Sequence, residues 1–233
     1  MKVDKFIGHS GFTSRRKAAD LIEEKRVLVN GKVATFSTKI KEGDIVLVDG
    51  KELKLKEFIP TLIAYHKPKG IECTSEKIAN NIIDAIAHSQ TIYPVGRLDK
   101  DSEGLILLTN QSDLIDKIAN PKYNHEKEYI VTLNLPVRTA FLNEIAEGII
   151  LNGEKTKPCI VSREPNAKRI FRVVLTQGMN RQIRRMCNAY DYQVIKLQRV
   201  RVMNIKLDKL KVGEWRDLSE VEIQELIQQL PTD

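Results

Sequence analysis

The residues with the most evident capacity for chemistry lie close together, in residues 96–110. Arg97 and two carboxylates, Asp99 and Asp101, stand in a glycine-bounded turn directly ahead of an apolar run. Such a run predicts a buried strand, so these side chains would stand where the strand begins and could be presented to a ligand. A carboxylate can act there as a nucleophile or stabilise charge. Asp and Gly are also common in ordinary surface turns, and spacing alone does not decide between the two readings.

The segments around this turn must position it, and their patterns predict a mixed arrangement. Strands and helices do not alternate strictly, which favours an α+β domain with a mixed, largely antiparallel sheet over a doubly wound parallel sheet. The predicted strands cover residues 62–65, 105–108, 128–133, 159–162, 170–175, 193–197 and 200–207. The predicted helices cover residues 81–87, 112–119, 139–147, 180–189 and 221–230, with Thr139 and Ser219 as caps.

A smaller unit precedes this domain. Val3, Phe6 and Ile7 have helical spacing, Ser14 can cap a second helix, and the dipeptide Asn30-Gly31 predicts a tight turn between short strands. Residues 51–57 are charged and carry no strong pattern, so they are predicted to be a linker. We therefore expect domains at residues 1–56 and 60–233.

The order of elements in the small unit resembles the S4 RNA-binding module and predicts a small α/β domain of that type. Arg15, Arg16 and Lys17 occupy the first turn of a helix, where cations oppose the macrodipole. RNA phosphate would offset that cost; the alternative is a basic face that is merely solvated. The resemblance implies RNA contacts at Ser14, Arg15, Arg16, Lys17 and Asn30.

Four segments of the larger part resemble, in the same order, segments of pseudouridine synthases that modify ribosomal RNA. They are residues 96–110, 125–131, 178–186 and 213–218. The resemblance implies a long mixed sheet around a central cleft and an isomerase that needs no cofactor and no metal. Asp99 would be the catalytic residue, with Tyr129 packed against the flipped base and Arg97 stacked in the space that the base leaves. Arg184 would pair with Asp99 and keep it ionised. Leu197 would form a wall of the uracil pocket, and Arg181 and Arg185 would contact phosphate.

The charge of the chain is consistent with an RNA partner. With 38 basic and 31 acidic residues in 233, the formal net charge is +7. Residues 168–201 carry nine Lys and Arg residues against one acid, Asp191, which is the footprint expected of a phosphate-binding surface. Within the family, residues 124–129 and 177–186 most resemble enzymes of 23S ribosomal RNA and imply a uridine in the peptidyl-transferase region. A tRNA as second substrate, 16S ribosomal RNA and another 23S site remain open.

Other classes of function are less favoured. Asp99 and Asp101, with Glu103 nearby, could hold Mg²⁺ in a nuclease or hydrolase, although the basic region and Arg184 suggest a site balanced by arginine. A non-catalytic RNA-binding or ribosome-assembly protein would use the S4-like part alone. Three widely spaced cysteines fit no disulfide or metal framework, and no apolar run approaches the roughly 20 residues of a membrane span. We expect a cytoplasmic monomer.

Overall fold

The computed structural model describes residues 1–54, 59–76 and 78–231. The chain divides into two compact units, Met1–Ile59 and Pro60–Asp233. The predicted linker is partly wrong, because residues 51–53 form a strand paired with the strand before them, at the register Val48↔Lys51. The alternating charges of this short segment give no apolar pattern from which the strand could be predicted. Residues 55–57 of the predicted linker, which include the proposed boundary at residue 56, lie outside the described residues.

The small unit packs two helices against a four-stranded sheet. Buried Val3, Ile7, Ala18 and Ile22 place one face of each helix on the apolar core, and Ser14 caps the second helix by accepting from the Lys17 amide at 3.3 Å. The sheet order is β2-β1-β3-β4. Its elements are α1 (Val3–His9), α2 (Arg15–Glu23), β1 (Val27–Val29), β2 (Lys32–Val33), β3 (Val46–Val48) and β4 (Lys51–Leu53).

The large unit is built on a mixed sheet with helices around it, as the sequence predicted. The strands of this unit in the described part of the chain are β5 (Leu62–Lys67), β6 (Tyr93–Pro94), β7 (Glu103–Thr109), β8 (Lys127–Leu133), β9 (Ile150–Leu151), β10 (Glu154–Lys155), β11 (Ile160–Arg163), β12 (Ile170–Leu175), β13 (Val194–Val202), β14 (Ile205–Lys206) and β15 (Trp215–Asp217). The main path runs β11-β12-β8-β13-β7-β5-β15, with β14 on β13 and β6 on β7, while β9 and β10 form a separate hairpin. The pairing of β13 with β7 is parallel, and the others are antiparallel.

The helices cover the sheet with apolar faces. Phe141, Ile145, Ile183 and Met186 pack with β8 and β12 in one core, and Ile118 and Leu226 pack in another. The helices are α3 (Ile82–Ile86), α4 (Ser112–Ala119), α5 (Thr139–Glu147), α6 (Gln182–Asn188) and α7 (Glu220–Gln228). In the described ranges no helix has the length and apolar character that crossing a membrane requires.

Two local predictions are wrong. The predicted strands at residues 193–197 and 200–207 are instead one strand, Val194–Val202, followed by the short β14, because the backbone pairs with β8 from Val194 to Val202. Thr139 does not cap α5; Arg138 holds the cap position, and the Thr139 hydroxyl accepts from Arg163 at 3.0 Å.

Candidate active site

The turn that carries Asp99 is fixed to the body of the large unit. The Ser102 amide donates to the Asp99 carbonyl at 3.0 Å and closes the turn. The Gly70 amide donates to the Lys100 carbonyl at 2.8 Å, and the Leu98 amide donates to Cys73 Sγ at 3.3 Å. The Asp99 carboxylate is therefore held in place ahead of β7, with its side chain 31% exposed.

Gly104 and Arg199 join this turn to β13. Gly104 has a φ of +114°, and a Cβ there would stand 2.3 Å from the Arg199 carbonyl oxygen, so a side chain is excluded. Arg199 is 3% exposed and donates from Nε to the Leu105 carbonyl at 2.6 Å and from Nη1 to the Arg97 carbonyl at 3.4 Å. Arg199 is one of the nine basic residues that predicted a phosphate-binding surface, but the structure shows it as a buried cation beneath the turn.

Arg181 and Arg184 bring their guanidinium groups to this turn, but not as predicted. Arg181 makes a bidentate salt bridge with Asp101, with hydrogen bonds of 3.0 and 3.1 Å, and its Nη1 lies 3.9 Å from Asp99 Oδ2. Hydrogen bonding from Arg181 lowers the pKa of Asp101 below its usual value. Of the two arginines, Arg181 is thus the one placed beside Asp99.

Arg184 is the arginine that the resemblance assigned to Asp99, and the structure pairs it with Asp101 instead. Its Nη2 donates to the Asp101 carbonyl at 3.1 Å and to Ser102 Oγ at 3.2 Å, and Nη1 donates to the Val194 carbonyl at 3.2 Å. Its Nε lies 3.4 Å from Asp101 Oδ2 without forming a hydrogen bond. Arg184 therefore ties the turn to α6 and β13, and its effect on Asp99 in this arrangement is indirect.

A cleft of about 290 Å³ opens beside Asp99, a size near the lower end of small-molecule sites. It brings together Arg97, Asp99, Tyr129, Arg181 and Leu197, five of the seven residues that the sequence assigned to catalysis or substrate. Arg97 is exposed at the cleft, Leu197 is 5% exposed, and Tyr129 lies opposite Arg199 in the register of β8 and β13.

Arg184 and Arg185 line a neighbouring hollow of about 580 Å³, which also contains Arg181. No carboxylate is among the residues that line it. The hollow therefore continues the positive character of the cleft along the surface of α6, in a form suited to a phosphate backbone.

Two lysines near the turn were missed by sequence reasoning. Lys127 lines the cleft and has its pKa lowered to about 8, chiefly by burial and then by the charge of Arg199. Lys67 is fully buried and donates to the carbonyls of Pro68 and Ile71, each at 2.8 Å, and burial lowers its pKa. Lys127 was missed because the strand was predicted to begin at residue 128; starting it one residue earlier puts Lys127 and Tyr129 on the same face.

The residues assigned to RNA binding in the small unit differ in their availability. Arg16 and Lys17 are exposed on α2, but Arg15 is paired with Asp4 at 2.7 Å. Ser14 is used as a helix cap. The Asn30 amide group donates to Asp44 Oδ1 and accepts from the Ile45 amide, both at 2.9 Å, so it stabilises its own turn.

The carboxylates of the turn do not form a metal-binding cluster. Asp101 is held by two arginines, and Glu103 pairs with Lys196 at 2.8 Å. Across the described ranges, no three His, Cys, Asp or Glu side chains come together in a group that could hold an ion. The geometry gives the nuclease interpretation no support.

An acid beside a positively lined cleft of about 290 Å³ on a mixed sheet suits an enzyme that acts on a phosphate-bearing substrate. The family model for RNA pseudouridylate synthase matches residues 61–189, and the model for the S4 domain matches residues 1–46. The chain belongs to the RNA pseudouridine synthase family, whose members are isomerases, and it carries an N-terminal S4 domain.

Relatives support this over almost the full length of the chain. It is 45% identical to the dual-specificity RNA pseudouridine synthase RluF of Escherichia coli K12, over 97% of this chain and 78% of the relative. It is 34% identical to ribosomal large subunit pseudouridine synthase B of Bacillus subtilis, over 97% and 95%. A crystal structure of a pseudouridylate synthase superposes with a TM-score of 0.70 at 30% identity, covering 97% of this chain and 99% of the other.

Proposed function

We propose that this chain converts a uridine of 23S ribosomal RNA to pseudouridine, with Asp99 as the catalytic residue. The observation that carries the proposal is the cleft in which Asp99, Tyr129, Leu197 and Arg97 meet. The bond between uracil N1 and the ribose carbon breaks, the base turns, and C5 bonds to the same carbon. The C5 proton is lost and N1 gains one, so the reaction needs no oxidant, reductant or coenzyme.

Each side chain of the cleft has a task in that reaction. The Asp99 carboxylate faces the sugar carbon as nucleophile or charge stabiliser, and Arg181 is placed to balance its charge. Tyr129 packs on the extruded base and Leu197 closes the pocket beside it. Extrusion costs a few kcal/mol, and the exposed guanidinium of Arg97 can recover part of that by stacking in the vacancy.

The choice of substrate rests on the charge of the chain and on the activities of its relatives. One relative is a large-subunit synthase and another is described as having dual specificity, which favours 23S ribosomal RNA and leaves tRNA as a second substrate. Arg181 and Arg185 would hold the phosphates next to the target, and Arg16 and Lys17 those reached by the S4 domain. Such a substrate implies a cytoplasmic location, and we expect a monomer.

Asp99→Asn tests the catalytic assignment. It should abolish pseudouridine formation while RNA affinity stays within about threefold, because the amide keeps the shape and loses the charge. Asp208→Asn is the matched control: an exposed aspartate in the left-handed region, which Asn also tolerates. Normal turnover by Asp99→Asn would reject the assignment, and full cellular function with this variant would favour the non-catalytic assembly role.

The target is found by comparing ribosomal and transfer RNA from cells with and without the gene. A reagent that makes pseudouridine block reverse transcription should reveal one 23S site that disappears in the deletion and returns with the wild-type gene, but not with Asp99→Asn. Disappearance of a 16S site alone would reject the 23S assignment and keep the chemistry.

A further inference from the structure

Lys127 lines the same cleft as Asp99 and Tyr129. It begins β8 two residues before Tyr129, and alternate residues of a strand point to the same face of the sheet. Both side chains line the cleft that contains Asp99. If Tyr129 packs against the extruded base, Lys127 borders the same space.

The ammonium group of Lys127 retains unused donor capacity. Its Nζ donates to the His125 carbonyl at 3.2 Å, whereas an ammonium group has three protons to give. Among the described residues no carboxylate lies within ion-pair distance of it. Lys67 provides the contrast, since its ammonium is bonded to two carbonyls and lies outside the lining of the cleft.

The charges around Lys127 are mostly positive and come from several elements. Glu126, its neighbour in the chain, is paired with Arg201 at 3.0 Å, and His125 Nε2 is bonded to the Lys117 carbonyl. The other charged groups that line the cleft are Arg97 and Asp99 before β7, Arg181 before α6 and Arg199 on β13. A partly buried amine in this surrounding is best matched by a ligand that brings negative charge.

We propose that Lys127 is a further catalytic residue that donates a charge-assisted hydrogen bond to a carbonyl oxygen of the detached uracil. The inference rests on the proposed function, because it requires the base to enter this cleft. When the N1–ribose bond breaks, the electron pair stays with the base and spreads from N1 onto O2 and O4. Lys127 stabilises that charge, keeps its proton throughout, and releases the oxygen when the C5–ribose bond has formed.

Protonated Lys127 is the active form in this scheme, which makes the proposal sensitive to pH. Burial and Arg199 lower its pKa to about 8, so the free enzyme loses the charged form as the pH rises through 8. Turnover at subsaturating RNA should fall on this alkaline side. An arginine at the same place would stay charged throughout that range.

The test compares single-turnover rates and RNA affinities of Lys127→Met and Lys127→Arg between pH 6.5 and 9.5. We expect Lys127→Met to lose about a hundredfold in rate, as for loss of one preorganised donor, with RNA affinity within about threefold. Lys127→Arg should recover at least tenfold over the Met variant, and its alkaline loss should move above pH 9. Lys209→Met, at an exposed lysine after β14, is the control for loss of one positive charge.

Two results would overturn the proposal: a Met variant within threefold of the wild-type rate, or an Arg variant whose alkaline loss stays near pH 8. Circular dichroism identifies a Met variant that fails to fold, and the pH profile of Lys127→Arg then decides alone. If Asp99→Asn is inactive while Lys127→Met turns over normally, this inference fails and the proposed function stands. An active Asp99→Asn rejects both.

Discussion

At the scale of single residues, the site depends on which arginine balances Asp99. Arg181 has the only guanidinium within ion-pair distance of that carboxylate in the part of the chain that the structure describes. It adopts a φ of +49° just before α6, and non-glycine residues in such conformations cluster at functional sites. Arg184 is 14% exposed and bonded to the turn itself.

We predict that replacement of Arg181 by glutamine mainly lowers turnover, whereas replacement of Arg184 mainly lowers stability. Arg181→Gln should lower turnover about 10- to 100-fold and leave stability nearly unchanged, because its pair with Asp101 is half-exposed. Arg184→Gln should lower the free energy of unfolding by about 1–3 kcal/mol, because buried acceptors lose a charged donor. Urea unfolding and single-turnover assays measure both effects. An Arg184→Gln protein of normal stability but no turnover would instead support the pairing of Arg184 with Asp99 that the resemblance implies.

The sequence predicted that Asp99 lies in the cleft, but it did not predict which arginine lies beside it. Asp99, Arg97, Tyr129 and Leu197 do meet in one cleft, because strands bring distant motif residues to one place. Arg181 was predicted to lie in the first turn of a helix. In the structure it precedes α6 in a left-handed backbone conformation, and its guanidinium lies beside Asp101 and Asp99. Nothing in the local pattern signals that conformation for an arginine.

At the scale of elements, the predictions that succeeded follow regular periodicity. Helices α4 and α5 and strand β12 have the predicted bounds. Short strands such as β4 and β15 were missed, because three residues paired only through their backbone leave no periodic pattern. The break predicted within β13 is absent, because β13 pairs with β8 on both sides of Arg199.

The last helix provides a prediction about stability. Ser219 and Glu222 form the predicted capping box, and Glu222 also pairs with Arg216 at 2.7 and 2.8 Å. Hydrogen bonding from Arg216 lowers the pKa of Glu222 from 4.5 to about 2. A lowered pKa in the folded state stabilises the protein above the unfolded value and loses that effect as the pH falls from about 4.5 toward 2.

We therefore expect Glu222→Gln to reduce the free energy of unfolding at pH 7 by about 1–3 kcal/mol. The difference from wild type should shrink between pH 5 and pH 3 in urea titrations followed by circular dichroism. Glu220→Gln removes the same charge from the same helical turn and serves as the control. A difference that stays constant with pH would show that the ionised carboxylate is not the source of the stabilisation.

At the scale of the whole molecule, positive charge lies in both units, on α2 and around α6. Counterion release predicts that affinity for ribosomal RNA fragments falls steeply between 50 and 200 mM salt, with a linear dependence of log affinity on log salt. Replacing both Arg16 and Lys17 by Gln should reduce that slope by roughly 1.4 to 1.8. Filter binding over a salt series measures it.

The control for the salt experiment is the pair Lys206→Gln and Lys209→Gln, which removes two exposed charges outside residues 168–201. It should leave the slope close to that of the wild type. Equal slopes for both double variants would mean that α2 does not contact phosphate in the complex.

The close approach of Gly104 to Arg199 has a consequence for how the enzyme is made. The wall beneath the acid comes from a strand almost a hundred residues further along the chain, and such long-range pairing forms late. Because synthesis proceeds from the N-terminus, we expect a nascent chain to complete its S4 domain well before its catalytic pocket.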